Sequence, residues 1–328
     1  MSATAKPLGD EILKVDHLKK HFKIGGGFLQ GRGLTIHAVD DVSLSIRRGE
    51  TFGLVGESGC GKTTLGQTIV RLYEPTSGRI IFKGDDISHL SNNKMRPYRR
   101  DIQMIFQDPS ASLDPRMTVS SIIAEPLTVS KIGSKAERKE QVQELLRVVG
   151  LNQYFANRYP HEFSGGQRQR IGIARALVVG PELVVCDEPV SALDVSIQAQ
   201  VLNLLKRLQE EFDLTYLFIA HNLAVVAHIA DRVGVMYLGK IVEIGSSQAV
   251  IERPRHPYTK ALISAIPVPE PGRQRERMLL QGEVPSPANP PSGCRFHPRC
   301  PIARPNCSVD EPQLEEKDTD HWVSCHYA

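Results

Sequence analysis

The chain has 328 residues, 41% of them apolar, and its 40 Lys and Arg against 37 Asp and Glu give a net charge of +3. This size allows one large buried core or a core with an appendage, and the mixed charge provides no basic field for nucleic acid. No apolar stretch reaches the roughly 18 residues that span a bilayer, and MSATAKPLGDEILK at the N-terminus lacks the apolar segment of a secretory signal, so we expect a soluble cytosolic protein that works at membranes only through a partner.

The first half of the chain predicts strands that lead to a glycine-rich loop and a helix. Gly25–Gly33 holds five glycines in nine residues, which indicates a mobile loop. A predicted strand at Thr51–Val55 runs straight into the segment GESGCGKT (Gly56–Thr63), and a helix over Thr63–Leu72 follows. Apolar runs predict further strands at Ile12–Leu18, Val42–Ile46 and Ile102–Phe106.

From about residue 110 to residue 180 the pattern becomes helical. Ser134 and Glu137 have the spacing of a capping box, and apolar residues follow them at helical intervals. Strands are predicted at Leu183–Cys186 and Thr215–Ala220, and a hairpin turn is predicted at Leu238–Gly239. Strands that alternate with helices predict an α/β fold with a mixed, largely parallel sheet and a helical insert at about 110–180.

Composition changes near residue 250. Thirteen of the 22 prolines fall between Pro254 and Pro312, and four of the six cysteines lie in the last 35 residues. Such a shift marks a domain boundary. The sequence therefore predicts one domain over 10–250 and a small Cys- and Pro-rich C-terminal extension over 251–328.

The segment GESGCGKT has the spacing of a phosphate-binding loop. Gly56 and Gly61 let backbone N–H groups curl around a phosphate chain without interference from a Cβ atom. Lys62 reaches the β- and γ-phosphates, the Thr63 hydroxyl ligates Mg²⁺, and the dipole of the next helix points at the same anion. The alternative is a glycine turn with a chance lysine, against which the preceding strand and the following helix argue. Cys60 is interpreted as a small spacer, not a redox group.

Polar side chains stand at the ends of the other strands. Asp187 and Glu188 end an apolar strand, where Asp187 would hold Mg²⁺ through water and Glu188 would polarise the attacking water. A solvated acidic turn is the alternative. Gln107 could contact Mg²⁺ or water, and His221 could donate to a γ-phosphate, although each alone would be an ordinary surface or strand-end residue. Their positions in one ordered series of motifs, which runs from the phosphate loop to His221, favour a functional role for both.

Ser164, Gly165, Gly166 and Gln167 open a helix and form a second candidate anion site. A serine N-cap, exposed glycine amides and the helix dipole all favour an anion. A capped helix without a ligand is the alternative. This chain has one phosphate-binding loop with its lysine, Lys62. A second segment that could bind a γ-phosphate therefore suggests that this segment binds a different nucleotide molecule.

This ordered series resembles the nucleotide-binding subunit of an ABC transporter over about residues 10–250. The resemblance implies two chains paired head to tail, with two ATP molecules between the phosphate loop of one chain and the SGGQ segment of the other. Residues implied to contact the ATP of this chain are Gly56, Glu57, Ser58, Gly59, Cys60, Gly61, Lys62, Thr63 and Thr64. Those implied to contact the ATP of the partner are Ser164, Gly165, Gly166 and Gln167.

The same resemblance implies roles for the residues between these segments. Glu188, His221 and Gln107 take catalytic roles, and Gln107 also senses the membrane subunit. Implied Mg²⁺ ligands are Thr63, Gln107 and Asp187. Asp194 matches the loop that crosses the dimer interface, and Phe22 matches the aromatic residue that stacks on adenine.

The tail narrows the resemblance further. His256–Thr259, the segment GEVPSPANPPSGC and the cysteines resemble the C-terminal extension of the oligopeptide/dipeptide importer ATPases, and Ser164–Leu177 is similar to the subunit that pairs with a second, different ATPase. This implies a peripheral ATP-hydrolysing subunit on the cytoplasmic face of the membrane. Its implied partners are another ABC ATPase, two membrane-spanning permease subunits and, indirectly, an extracytoplasmic solute-binding protein, with no nucleic acid. Di- or oligopeptides are the implied solutes, with nickel, glutathione or a sugar as alternatives.

Cys294, Cys300, Cys307 and Cys325 lie in a segment too rich in proline to build its own apolar core. A reducing cytosol disfavours disulfides, so a metal staple is the better account. Zinc sites usually have tight C-x(2–4)-C pairs, which are absent here, whereas four widely spaced thiolates suit a [4Fe–4S] cluster. Related peptide-importer ATPases resemble this pattern in carrying such a cluster. Zinc and unligated thiols remain alternatives, and the histidines His297, His321 and His326 are interpreted as bystanders.

Two rival functions belong to other classes. An ABC ATPase that acts on ribosomes or DNA generally carries two cassettes, long coiled coils or zinc inserts, whereas one uninterrupted cassette runs here from Gly56 to His221. A non-hydrolysing regulatory subunit is the second rival, and the presence of Glu188 and His221 argues against it.

Overall fold

The computed structural model describes residues 9–25, 33–266, 278 and 280–328. Within these ranges the strands are β1 (Glu11–Ile24), β2 (Leu34–Arg47), β3 (Thr51–Val55), β4 (Ser77–Phe82), β5 (Asp85–Asp86), β6 (Ile102–Ile105), β7 (Leu183–Asp187), β8 (Thr215–Ala220), β9 (Arg232–Tyr237), β10 (Lys240–Ser246), β11 (Glu315–Asp318) and β12 (His321–Val323). The α-helices are α1 (Lys62–Ile69), α2 (Asn92–Met95), α3 (Tyr98–Asp101), α4 (Pro109–Ser112), α5 (Val119–Val129), α6 (Lys135–Val148), α7 (Gly165–Leu177), α8 (Val195–Phe212), α9 (Leu223–Ile229), α10 (Ser247–Glu252) and α11 (Pro257–Ser264). Most of the predicted Gly25–Gly33 loop, residues 26–32, lies outside the described residues.

The described chain divides into two compact units. Leu90–Ile219 forms one, which we call the middle unit. Asp10–His89 and Ala220–Ala328 together form the other, which we call the flanking unit. The Cys- and Pro-rich tail therefore belongs to the same compact unit as the segment that carries the phosphate loop.

The middle unit combines a parallel sheet with helices. Strand β7 pairs in parallel with β6 on one side and with β8 on the other. All residues of β7 and β8 are buried, as expected for strands of a parallel sheet covered on both faces. The predicted capping box forms, because Ser134 Oγ accepts the N–H of Glu137 and the Glu137 carboxylate accepts the N–H of Ser134. The predicted helical stretch is confirmed as four helices, α4 to α7.

The flanking unit contains mixed strand pairing. β1 pairs antiparallel with both β2 and β4, and β3 pairs in parallel with β9. β9 and β10 form the hairpin that the sequence predicts, with its turn at Leu238–Gly239. The α/β fold with a mixed sheet is thus confirmed, and β1 and β2 are longer than the strands predicted from apolar runs.

The tail is more ordered than its composition predicts. β12 pairs antiparallel with β10 and with β11, so the tail adds two strands to the sheet edge. Phe296 and Val323 are buried there, at 1% and 0% exposure. The segment was expected not to build an apolar core of its own, and its apolar residues pack against β9, β10 and α11 of the same unit.

Within the described ranges, no helix combines the length and the apolar character that crossing a bilayer requires.

Candidate functional site

The phosphate loop joins the fully buried strand β3 to helix α1, as predicted. Gly61 stands at the helix N-cap with φ 109°, a value in the region that favours glycine. A Cβ atom on Gly61 would lie 2.0 Å from the carbonyl oxygen of Ala38, and one on Gly56 would lie 2.1 Å from that of Met236. The loop is therefore closed down on its neighbours, and glycine is a steric requirement at both ends of it.

Lys62 is held inside this loop. Its side chain is buried, and Nζ donates to the carbonyl oxygens of Gly56 at 2.8 Å and Glu57 at 3.0 Å. The ammonium group is thus held by the backbone that would surround a phosphate chain. Burial raises the pKa of the Cys60 thiol, which keeps it neutral and agrees with its interpretation as a spacer.

The remaining loop residues differ in exposure. Ser58 and Gly59 are exposed, and Gly59 has φ 79°, with no atom within 4 Å of the position that a Cβ atom would take. Thr63 and Thr64 occupy the first turn of α1 and are half-buried. The backbone amides of this turn point toward the loop, as an anion site at a helix N-terminus requires.

Asp187 and Glu188 stand where β7 ends in the middle unit. Asp187 is the last residue of the strand and is only 2% exposed. Glu188 has φ 44°, a left-handed conformation that is strained for a residue with a side chain. Its N–H donates to Ile219 at 3.0 Å, and its carbonyl oxygen accepts the Ser191 hydroxyl at 3.0 Å. These bonds hold the backbone of Glu188 in its strained conformation.

Gln107 and Glu188, two of the three predicted catalytic residues, are in contact. The Gln107 amide nitrogen donates to Glu188 Oε2 at 3.2 Å, across a sequence separation of 81 residues. With its nitrogen facing Glu188, the Gln107 amide presents its oxygen elsewhere, and an amide oxygen suits Mg²⁺. Asp187 supplies a nearly buried carboxylate of the same hard-oxygen class. The donor types fit Mg²⁺, although the assignment of individual ligands stays a prediction.

The SGGQ segment begins helix α7 with a reciprocal cap. Ser164 Oγ accepts the N–H of Gln167 at 3.3 Å, and Gln167 Oε1 accepts the N–H of Ser164 at 3.0 Å. Ser164 and Gly165 are exposed, whereas Gly166 is buried. A Cβ atom on Gly166 would lie 2.5 Å from Ile197 Cγ2, so glycine here allows α7 to approach α8 closely. The capping role of Gln167 was missed, although its S-x-x-Q spacing is a sequence signal for it.

Three further predicted residues have less defined surroundings. His221 belongs to the flanking unit and is exposed directly after β8. Asp194 is the exposed N-cap residue of α8, where its side chain makes no capping hydrogen bond. Phe22 lies on β1, edge-on to Tyr73 at 5.2 Å between ring centroids, with Lys20 Nζ 4.9 Å from its ring centre.

The four tail cysteines line one shared cavity. Cys294 and Cys307 are also joined through the backbone, because the N–H of Cys294 donates to the carbonyl of Cys307 at 2.8 Å. Burial raises the pKa of the Cys294 thiol to about 11 and also raises the pKa of Cys300 and Cys325. As isolated thiols these groups are neutral near pH 7.

The three histidines of the tail each have a polar partner. His297 Nδ1 lies 2.9 Å from the carbonyl oxygen of Cys294, and His326 Nε2 lies 3.0 Å from that of Asp310. His321 is buried and pairs with Glu243 Oε1 at 2.7 Å. Because His297 and His326 also line the cavity of the four cysteines, their interpretation as bystanders stays a prediction.

Among the described residues, one group of three His, Cys, Asp or Glu ligand atoms lies mutually within 4.8 Å: His21, His37 and Asp40. Asp40 is already paired with Arg295 and lies 3.9 Å from Lys19 Nζ. A metal ion would share this one carboxylate with the positive charges of Arg295 and Lys19, which disfavours a metal there.

Comparison with known proteins places these features in a family. Residues 39–191 match the ABC transporter family, and residues 242–307 match the oligopeptide/dipeptide transporter C-terminal region. The chain is 58% identical over 320 residues to the oligopeptide transport ATP-binding protein AppF of Bacillus subtilis, covering 97% of each chain.

Solved structures give the same answer. The dimeric post-hydrolysis structure of the ATP-binding cassette MJ0796 with ADP and Pi has 30% identity and a TM-score of 0.64, over 72% of this chain and 99% of the other. The structure of cbiO1 from Clostridium perfringens, part of the ABC transporter complex cbiONQ, has 29% identity and the same TM-score, over 74% and 92% of the two chains.

The fold, the phosphate loop and these matches define an ABC-type ATPase, a cassette that binds and hydrolyses ATP. Within that class the chain belongs to the ATP-binding subunits of the oligopeptide/dipeptide ABC transporter family. The family that the sequence motifs resemble is thereby confirmed.

Proposed function

We propose that this chain is the ATP-hydrolysing subunit of an importer that takes up di- or oligopeptides. The observation that carries the proposal is the 58% identity to an oligopeptide transport ATP-binding protein over 97% of both chains, tail included. The tail matters because the cassette alone is common to ABC transporters of many solutes, whereas the match over 242–307 is to the oligopeptide/dipeptide type.

The proposed nucleotide chemistry assigns one role to each group. Lys62 and the loop amides would bind the phosphates, and Thr63, Gln107 and Asp187 would be the ligands of Mg²⁺, which would supply neutralisation of phosphate charge. Glu188 accepts a proton from the attacking water, and His221 donates to the γ-phosphate. The Gln107–Glu188 contact at 3.2 Å supports this assignment, since it orients the carboxylate that would act as base.

The proposed assembly has two nucleotides between two ATPase chains. Ser164, Gly165, Gly166 and Gln167, with Asp194, would face the ATP of the partner, which we propose is a different ABC ATPase. Exposure of Ser164, Gly165 and Asp194 leaves these residues available to another chain. Two membrane permease subunits and an extracytoplasmic binding protein complete the transporter, and this chain would lie on the cytoplasmic face of the membrane.

Replacing Glu188 tests the hydrolytic role. Glu188→Gln keeps the shape of the side chain but removes the base, so we expect ATP binding to persist while hydrolysis falls roughly 100-fold or more. The variant with ATP and the second ATPase chain should accumulate as a closed dimer in size-exclusion chromatography. Glu211→Gln, which changes an exposed carboxylate on α8, is the matched control and should hydrolyse ATP normally. Wild-type turnover in Glu188→Gln would reject Glu188 as the base.

Uptake by the assembled transporter tests the solute. Proteoliposomes that contain this chain, the second ATPase and the permeases should accumulate labelled di- or oligopeptides when ATP and the binding protein are present. Nickel, glutathione and a sugar, offered separately, decide between the alternatives. Accumulation of one of these without accumulation of peptides would overturn the peptide assignment and leave the ATPase function intact.

We propose that the four tail cysteines hold a metal group. Four thiolates around tetrahedral zinc, at Zn–S of about 2.3 Å, would have sulfur atoms about 4 Å apart. Here the four cysteines share one cavity, yet no three of their sulfurs lie mutually within 4.8 Å among the described residues. The proposed group is a [4Fe–4S] cluster, for which Cys294, Cys300, Cys307 and Cys325 would be the ligands. The cluster would cross-link a tail that is poor in regular structure.

Anaerobic purification tests the metal group. We expect a brown protein with four irons and four acid-labile sulfides per chain, in which Cys300→Ser lowers the iron content. Cys186→Ala, a buried cysteine on β7 outside the tail, should keep the iron. A colourless protein that contains zinc and no iron would favour the zinc alternative, and one without metal would leave four thiols.

The division of the chain near residue 250 also stays a proposal. The family match to the C-terminal region begins at residue 242, close to the predicted boundary. The extension nevertheless belongs to the compact flanking unit. We therefore expect it to unfold together with that unit and not as an independent domain.

A further inference from the structure

The tail reaches the phosphate loop through Arg299. Its guanidinium group makes two hydrogen bonds to the Glu57 carboxylate, Nη1 to Oε2 at 2.8 Å and Nη2 to Oε1 at 3.2 Å. Paired donors on paired acceptors fix direction as well as distance. The Arg299 side chain is 8% exposed, and the ion pair raises its pKa further above its usual value. This is an enclosed, oriented ion pair on a residue of the loop itself.

Tyr258 of α11 holds the same loop residue from its backbone. The N–H of Glu57 donates to the Tyr258 hydroxyl oxygen at 2.8 Å, and Tyr258 is fully buried. Glu57 is therefore held at both its peptide nitrogen and its side chain, by residues 201 and 242 positions away. Lys62 Nζ donates to the Glu57 carbonyl, so the same residue also borders the phosphate-binding ammonium group.

A second connection meets the loop further along. Arg295 donates to the carbonyl of Leu238 and pairs with Asp40. Gly239, which follows Leu238 in the chain, donates its N–H to the carbonyl oxygen of Cys60 at 2.8 Å. The tail thus contacts the loop directly at Glu57 and supports, through the β9–β10 turn, the backbone at Cys60.

We propose that Arg299 and Tyr258 are positioning residues for ATP, which hold Glu57 so that the phosphate loop keeps its binding shape. A loop fixed before the ligand arrives does not lose conformational freedom on binding, and affinity rises accordingly. Neither residue contacts the reacting atoms, so their effect falls on ATP affinity and not on the chemical step. The C-terminal extension is therefore part of the nucleotide site and not only a structural appendage.

Nucleotide titration of the full chain tests this. We expect Arg299→Ala to weaken binding of a fluorescent ATP analogue about tenfold, and Tyr258→Phe, which removes one hydroxyl, about threefold. Arg299→Lys keeps the charge but loses the paired geometry, so its affinity should fall between the two. In the ATPase assay KM should rise while kcat changes less than twofold.

The control is Arg255→Ala, which breaks another arginine–carboxylate pair in the same unit, with Asp318, away from the loop. A double variant, Glu57→Gln with Arg299→Ala, should bind ATP no more weakly than Arg299→Ala alone. Each of the two changes removes the same ion pair, so the second change has nothing further to remove. Wild-type affinity in Arg299→Lys and Tyr258→Phe would overturn the proposal. So would an equal loss of affinity in Arg255→Ala, since that indicates general destabilisation. If Arg299→Ala does not fold, the Lys and Phe variants decide alone.

Discussion

At the residue scale, two glycines of the phosphate loop are required for different reasons. Gly61 has no room for a Cβ atom, whereas Gly59 has room but adopts a left-handed backbone conformation. Gly61→Ala adds a Cβ atom 2.0 Å from a backbone oxygen, so we expect nucleotide binding to be lost, by roughly 100-fold or more. Gly59→Ala meets no atom within 4 Å and carries only the left-handed backbone penalty of about 1–2 kcal/mol. Its binding should fall much less. Equal losses in the two variants, measured by isothermal titration, would contradict the steric account.

Glu50 gives a residue-scale prediction about pH. It is fully buried, and this burial raises its pKa above the usual value even though Arg232 lies 3.2 Å away. A raised carboxyl pKa means that the folded state holds its proton to higher pH than the unfolded state. The Glu50 contribution to stability is then complete below the unfolded pKa and is lost as pH rises through the folded pKa.

The measurement is the free energy of unfolding of wild type minus that of Glu50→Gln, followed upward from below pH 4.5, the ordinary glutamate pKa. We expect this difference to fall with rising pH, at no more than about 1.4 kcal/mol per pH unit, and then to level off. Glu211→Gln, on an exposed carboxylate, should show no such slope. A difference that rises with pH would reverse the assignment.

At the element scale, helix α7 contains two glycines with opposite roles. Gly172 has no atom within 4 Å of its Cβ position, so Gly172→Ala should stabilise the helix by about 0.5–1 kcal/mol. Gly166→Ala would collide with Ile197 of α8 and should destabilise by about 1–3 kcal/mol. Urea denaturation measures both. A stabilised Gly166→Ala would show that α7 and α8 have room to separate.

The elements show where sequence reasoning succeeds. Ser134 and Glu137 were predictable because a capping box acts across three residues, and Asp187 and Glu188 because an apolar run ends at them. The strained φ of Glu188 was not predictable, since it depends on bonds to Ile219 and Ser191. Local patterns report local interactions, and they predicted the motifs better than the surroundings of those motifs.

At the scale of the whole molecule, the tail is where sequence reasoning fell short. Arg299 and Glu57 are 242 positions apart, and neither carries a local signal for the other. The proline-rich composition predicted a segment that builds no apolar core of its own, but it could not show which other elements the apolar residues of the segment pack against. Phe296 instead packs against residues of β9 and α11, with ring centroids 5.2 Å from Tyr237 and 5.5 Å from Tyr258.

Phe296 therefore tests whether the tail and the ATP site form one cooperative structure. Phe296→Ala removes a fully buried ring, which should lower the free energy of unfolding by about 3–5 kcal/mol. It should also weaken ATP binding, because Tyr258, which accepts the N–H of Glu57, loses the ring that packs against it. Phe296→Leu retains most of the volume and should cost less on both measures. A large loss of stability with wild-type ATP affinity in the folded fraction would show that the packing of Phe296 does not affect the phosphate loop. Arg299 and Tyr258 would then hold the loop without help from this ring.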